Sequence, residues 1–161
     1  MVKLAFFYLL LLACCGYALL RGGAPERIGA SIFAVGTGLT VLARHEAATR
    51  YGSVEAGVLI VDVAALIAFL VLALLARRLW PLWITAFQAI GTAGHLAKLA
   101  DPEMIRWAYA FLLGIWSYPM LLLLALGTFN HQRRLKRFGE DKSWSSSSGR
   151  SGSAPPPGPR I

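Results

Sequence analysis

The chain is dominated by a succession of long apolar blocks joined by short charged connections: Leu4–Leu20, Ile28–Ala43, Val54–Ala76, Trp80–Leu99 and Met104–Thr128. A helix on the surface of a soluble protein alternates apolar and polar faces with a 3.6-residue period. A run of about 18 or more residues with almost no charge instead matches the hydrocarbon thickness of a bilayer. With 57% hydrophobic and only 15% charged residues, folding in water would leave too little polar surface to cover such a core. The expected fold class is therefore all-α: a polytopic transmembrane bundle of five helices. The spans are expected at 4–20, 28–43, 54–76, 80–99 and 104–128, with a disordered, basic, cytoplasmic tail over 129–161.

The blocks differ in strength. The second is the shortest and carries Ser31, Thr37 and Thr40, so its span is marginal. The third is the most apolar, with Glu55 at its mouth and Asp62 inside. Arg77, Arg78 and Leu79 lead straight into the fourth, where Pro81 suits a first helical turn because its missing N–H has no partner to lose. Asp101 and Pro102 form a cap-and-proline start for the fifth. Within the second block Ala30, Ala34 and Gly38 recur every four residues, a small-residue seam for tight packing. In the fifth, Pro119 predicts a packed kink, with Ser117 satisfying the freed backbone. The Ser-rich stretch and APPPGPR that follow RRLKR cannot bury enough apolar area to offset their ordering entropy.

The formal charge of +8 is concentrated in residues 129–161, where Arg133, Arg134, Lys136, Arg137, Lys142, Arg150 and Arg160 face only Glu140 and Asp141. Short loops rich in Lys and Arg stay in the cytoplasm. That rule puts the C-terminus inside and, with five spans, the N-terminus outside. Arg21, Arg27, Arg77 and Arg78 then fall inside. Arg44, Arg50, Lys98 and Arg106 fall outside, partly offset by Glu46, Glu55, Asp101 and Glu103. Omitting the second span would strand Arg21, Arg27, Arg44 and Arg50 in one outside loop, which the rule disfavours. Leu11-Leu12-Ala13-Cys14 resembles a lipobox, yet cleavage there would carry Arg77, Arg78 and RRLKR outside, against the charge bias. Adjacent Cys14 and Cys15 point in different directions on a helix, so they read as small apolar residues rather than a disulfide. Trp80 and Trp83 are expected in the inner aromatic belt, Trp107 and Tyr109 in the outer.

Asp62 is the most informative side chain. A carboxylate inside an apolar span costs about 2.5–3.5 kcal/mol on insertion scales unless it is paired or hydrated. At a rise of about 1.5 Å per residue, Asp62 lies roughly 12 Å below the mouth of the third block, level with Thr92 and between His95 and Gln88 of the returning fourth. Gln88, Thr92 and His95 share one helix face, and Gly91 beside it would allow close helix approach. The pattern predicts an intramembrane polar cluster of Asp62, Gln88, Thr92 and His95, which Lys98 and Glu55 could extend outward. An Asp–His pair of this kind can exchange a proton near neutral pH. Catalytic and metal-ligating motifs are absent, and haem would need a second membrane histidine, whereas His45 and His131 are expected in a loop and the tail. No cofactor is expected. The basic run lacks a folded nucleic-acid module, so Arg133, Arg134, Lys136 and Arg137 are read as resting on anionic lipid headgroups.

The stretch Leu79–Thr128, with LWPLWITAFQAIGTAGHLAKLADP followed by WSYPMLLLLALGT, resembles small multi-pass inner-membrane proteins of proteobacteria that have no assigned activity, and the likeness extends back to Glu26–Ala30. The resemblance implies a bacterial inner membrane and lends no catalytic residue. The expected role is a non-enzymatic accessory or scaffold bundle, its partner the bilayer together with another membrane protein or a second copy of the chain. The alternative is a small transporter or proton-linked channel that uses Asp62 and His95.

Overall fold

The computed structural model of the chain describes residues 2–43, 56–101 and 103–139. His45, Glu46, Glu55, Pro102 and the segment 140–161 lie outside the described residues. The six elements are all helices: α1 (Val2–Arg21), α2 (Ala24–Ala43), α3 (Ala56–Leu75), α4 (Trp80–Ala100), α5 (Arg106–Gly114) and α6 (Ser117–Phe138). They form a helical membrane bundle of five rods, because α5 and α6 run on as one. Neighbours in sequence are neighbours in space, and α6 closes the ring against α1 and α4 while also touching α2.

Four rods are long and apolar enough to cross a membrane on their own: α1 from Leu4, α2, α3 and the combined α5–α6. The fourth helix has the length, at 21 residues, but carries Gln88, Thr92, His95 and Lys98. It crosses with the others because it packs antiparallel along α3 in the most extensive interface of the bundle, which turns His95 and Lys98 inward. The outer surface is hydrocarbon-like throughout, as expected for lipid contact; Leu12, Leu20 and Leu42 are among its most exposed residues.

The second helix is stronger than its sequence suggested. It starts at Ala24 rather than Ile28, with Pro25 in the first turn where proline is tolerated, and reaches 20 residues. Gly22 and Gly23 alone form the turn, and the Gly23 carbonyl accepts the first α2 bond from Arg27 N–H at 3.0 Å. The predicted Ala30/Ala34/Gly38 seam does not form. A strict four-residue step rotates about 40° per turn off a contact face, and of the three only Ala30 is buried. The buried face is Glu26, Gly29, Ala30 and Phe33, the usual three-and-four spacing. In α1 the same spacing selects Leu11, Cys14, Cys15 and Ala18, all in the core.

Two further boundaries depart from expectation. The fifth rod breaks at Ile115–Trp116 into α5 and α6. Pro119 explains the position: it cannot donate to the carbonyl four residues earlier, Ile115, and its ring crowds that group. In addition, the basic run expected to begin the tail is helical. The segment HQRRLKRF contains no breaker, so α6 continues to Phe138 and stops at Gly139, whose φ of 71° is the left-handed cap that favours glycine.

At the core, the rings of Phe33 and Phe69 lie 5.1 Å apart, with Ile84, Leu121 and Leu124 fully buried around them. Trp80 sits below this layer, 7% exposed, wedged between two glycines. A Cβ at Gly127 would stand 2.6 Å from Trp80 Cδ1, and one at Gly29 would stand 2.8 Å from its Cη2. Trp83 is exposed, whereas Trp80, expected beside it in the aromatic belt, is buried in the bundle. Gly127→Ala should therefore lower the melting temperature in detergent micelles, with an overpacking cost of about 1–3 kcal/mol. Combined with Trp80→Leu, the two changes should be non-additive by at least about 0.5 kcal/mol, because the smaller side chain removes the clash.

Candidate functional site

The described turns and helix termini define the two ends of the bundle. The Gly22–Gly23 turn, the Arg77–Leu79 turn and the end of α6 share one end; the start of α3, the end of α4 and the start of α5 share the other. Each end carries one buried polar cluster.

At the second end, Asp62 of α3 faces His95 of α4. His95 Nε2 stands 3.1 Å from Asp62 Oδ2, and the imidazole is fully buried. On its other side, Tyr109 Oη of α5 lies 2.6 Å from His95 Nδ1, and Tyr109 is likewise fully buried. The contacts define a chain of three groups on three helices. A neutral imidazole satisfies it by donating Nε2–H to the carboxylate and accepting the Tyr109 hydroxyl proton at Nδ1. An imidazolium would satisfy it equally if Tyr109 accepted from Nδ1–H. The two forms differ only in the direction of the Tyr109 bond; the bond from Nε2–H to the carboxylate is the same in both.

The other predicted members hold the frame. Gln88 Nε2 donates to the backbone carbonyl of Asp62 at 3.2 Å rather than to its carboxylate. Thr92 Oγ1 donates to its own helix at Gln88 O, 2.9 Å away, and is not a partner of Asp62. Lys98 Nζ, almost fully buried, donates to Met104 O at 2.8 Å, tying the end of α4 to the segment before α5. Close helix approach is made by Gly94, where a Cβ would meet Leu112 Cδ2 at 3.1 Å, and not by Gly91, which has ordinary space.

Asp62 and Gln88 also line a cavity of about 720 Å³ between the helices. Its walls are mainly apolar, with Phe7, Phe33, Phe69 and Phe111 contributing rings, and the α5–α6 break lines it through Gly114, Ile115, Ser117 and Tyr118. The proline-associated interruption, expected as a packed kink, thus borders open space. Such a volume is in the range of small-molecule sites, and the Asp62 side chain retains 24% exposure.

The first end holds a cluster that sequence reasoning missed. Glu26 of α2 is fully buried. Trp80 Nε1–H donates to its Oε1 at 3.1 Å, and Arg78 Nε lies 3.8 Å from the same oxygen. His131, expected in the tail, is instead buried on α6; its ring and Glu26 Oε2 both crowd the position a Cβ of Gly23 would take, at 2.8 Å and 3.0 Å. Nearby, Gln132 Nε2 donates to the Arg21 carbonyl.

No protein-family model, curated protein or solved structure matches this chain. The chemistry of the sites is accordingly read from their geometry alone.

Tyr109→Phe keeps the ring and removes the hydroxyl, leaving His95 Nδ1 buried with one partner fewer. The expected loss is about 1–3 kcal/mol, seen as a lower melting temperature in micelles. Thr92→Val, which deletes a hydroxyl that bonds only its own helix, should move the same transition by less than half as much.

Proposed function

We propose that this chain is a non-enzymatic protein of the bacterial inner membrane that binds a small lipophilic cation in the α5–α6 cavity and exchanges it for a proton on Asp62, the action of a small proton-linked transporter. One observation carries the reading: Asp62 lines an apolar cavity while one of its oxygens is held by a histidine whose far nitrogen is already occupied by Tyr109. A carboxylate in such surroundings favours a partner of opposite charge. A lipophilic amine or phosphonium supplies that charge together with apolar area for the phenylalanine walls.

The orientation proposed is N-terminus outside and C-terminus in the cytoplasm. Arg21, Arg27, Arg77, Arg78, Arg133, Arg134, Lys136 and Arg137 gather at one end of the bundle, against Lys3, Lys98 and Arg106 at the other among the described residues. That asymmetry supports a cytoplasmic position for the basic end, and it opens the Asp62 cavity in the outer half of the membrane. A fluorescent reporter fused after Phe138 should light up in the cytoplasm and a phosphatase fused there should stay inactive; the reverse pattern would invert the assignment.

Binding of tetraphenylphosphonium to the full chain in nanodiscs tests the function. Wild type should bind, and Asp62→Asn should weaken binding at least tenfold, about 1.4 kcal/mol, with its melting temperature followed as a control for folding. Reconstituted in liposomes, wild type should carry the cation in response to an imposed pH gradient and the variant should not. Equal affinity in both proteins, or none in wild type, would reject the cavity reading and leave the accessory-bundle alternative, in which recovery of a membrane partner is the relevant assay.

A further inference from the structure

A basic groove lies at the opposite end of the bundle from Asp62, and its chemistry does not depend on the cation reading. The C-terminal turn of α1 and the last turns of α6 enclose a groove of about 630 Å³. Arg21, Arg133 and Lys136 surround it, and among the described residues no acidic side chain lines it. Leu20 and Phe129 form its apolar side, 79% and 55% exposed. Gln132, also on the wall, bonds the Arg21 carbonyl and so fixes the spacing of the two helices where the cations converge.

We propose that this groove holds the headgroup of one anionic glycerophospholipid. Its position argues for a lipid: Arg21 ends a membrane-spanning helix, so the cations stand where headgroups lie, while Leu20 and Phe129 face the acyl region. Its charge argues for an anion. Three cations without an acid complement a phosphate that carries net negative charge, whereas a zwitterionic headgroup brings its own cation against them. Free phosphate would match the cations but leave the apolar side uncovered. The basic residues of α6 therefore act as part of a formed site shared with α1, rather than as a loose charged tail resting on the membrane.

The test uses the full chain released from nanodiscs and weighed intact by native mass spectrometry. Nanodiscs are made with a phosphatidylcholine background containing either phosphatidylglycerol or phosphatidylethanolamine as the minor lipid. Wild type should retain one phosphatidylglycerol in preference to phosphatidylethanolamine, and added inorganic phosphate should not displace it. Arg21→Gln/Lys136→Gln should lower that retention at least tenfold. A control of equal charge loss at exposed residues of the same membrane end, Arg27→Gln/Arg77→Gln, should leave it intact. Arg133→Gln repeats the test on a cation away from the Arg21–Gln132 bond, should the double variant fail to fold. Equal loss in the control variant would mean diffuse surface charge, and equal retention of both lipids or displacement by phosphate would mean no lipid site; each overturns the proposal.

Discussion

Within hydrocarbon, a polar side chain that leaves its own helix can find a partner only on a neighbouring one, because no water is present to replace it. This constraint shapes the bundle. Asp62 is answered by His95, and His95 by Tyr109, which binds α3, α4 and α5 into one unit. At the opposite end Glu26 is answered by Trp80 and Arg78, which binds α2 to the α3–α4 turn. Interhelical hydrogen bonds in membranes are individually modest, on average about 0.6 kcal/mol. Their larger effect is on register: sliding α4 by one turn would separate both carboxylates from their partners at once, leaving Glu26 fully buried, and Asp62 partly so, without compensation.

Trp80 couples the polar and apolar terms. Its indole fits only because Gly29 and Gly127 lack side chains, and that close seat presents Nε1 to Glu26. Van der Waals packing drives helix association where lipid removes the hydrophobic difference, and small residues against a large flat ring maximise it. The Pro119 break has the opposite effect. It detaches α5 from the line of α6, brings Tyr109 to His95, and leaves the space lined by Ser117 and Tyr118 unfilled. One rod thus serves both to close the core, through Leu121 and Leu124, and to open the cavity above it.

Much of this could be read from the sequence, and the failures share a cause. Block length and charge reveal the helices and their antiparallel order. Counting rise per residue places Asp62 level with Thr92, between His95 and Gln88; of these, His95 reaches its carboxylate and Gln88 its backbone carbonyl. The same count puts Tyr109, early in α5, at that depth too, but an aromatic near a span end also satisfies the interfacial-belt rule, and depth does not reveal which way a ring faces. Glu26 and Trp80 were obscured in the same manner: each lies at a block boundary, where charged and aromatic residues are ordinary. Thr92 illustrates the reverse error. It shares a face with Gln88 and His95, yet a threonine in a helix can satisfy itself on the carbonyl four residues back, and spacing alone does not tell the two outcomes apart. The helical continuation through RRLKR follows from the absence of any breaker before Gly139, a local signal independent of the topology that the basic charge encodes.

The two polar clusters do not join. Between them lie the Phe33–Phe69 pair, Ile84, Leu121 and Leu124, all within the buried core. Phe69 is seven residues beyond Asp62 and Phe33 seven beyond Glu26, so the layer stands about 10 Å from either carboxylate along its helix. No chain of hydrogen bonds crosses a layer of that kind. A protein that moves a solute through this bundle must therefore displace the phenylalanine pair. The rod interrupted beside that layer is α5–α6, whose lower half is seated on Trp80 at Gly127 and whose upper half borders the cavity. The two ends are thus built differently: an indole packed directly on glycine backbone at the Glu26 end, and a cavity beside the carboxylate at the Asp62 end.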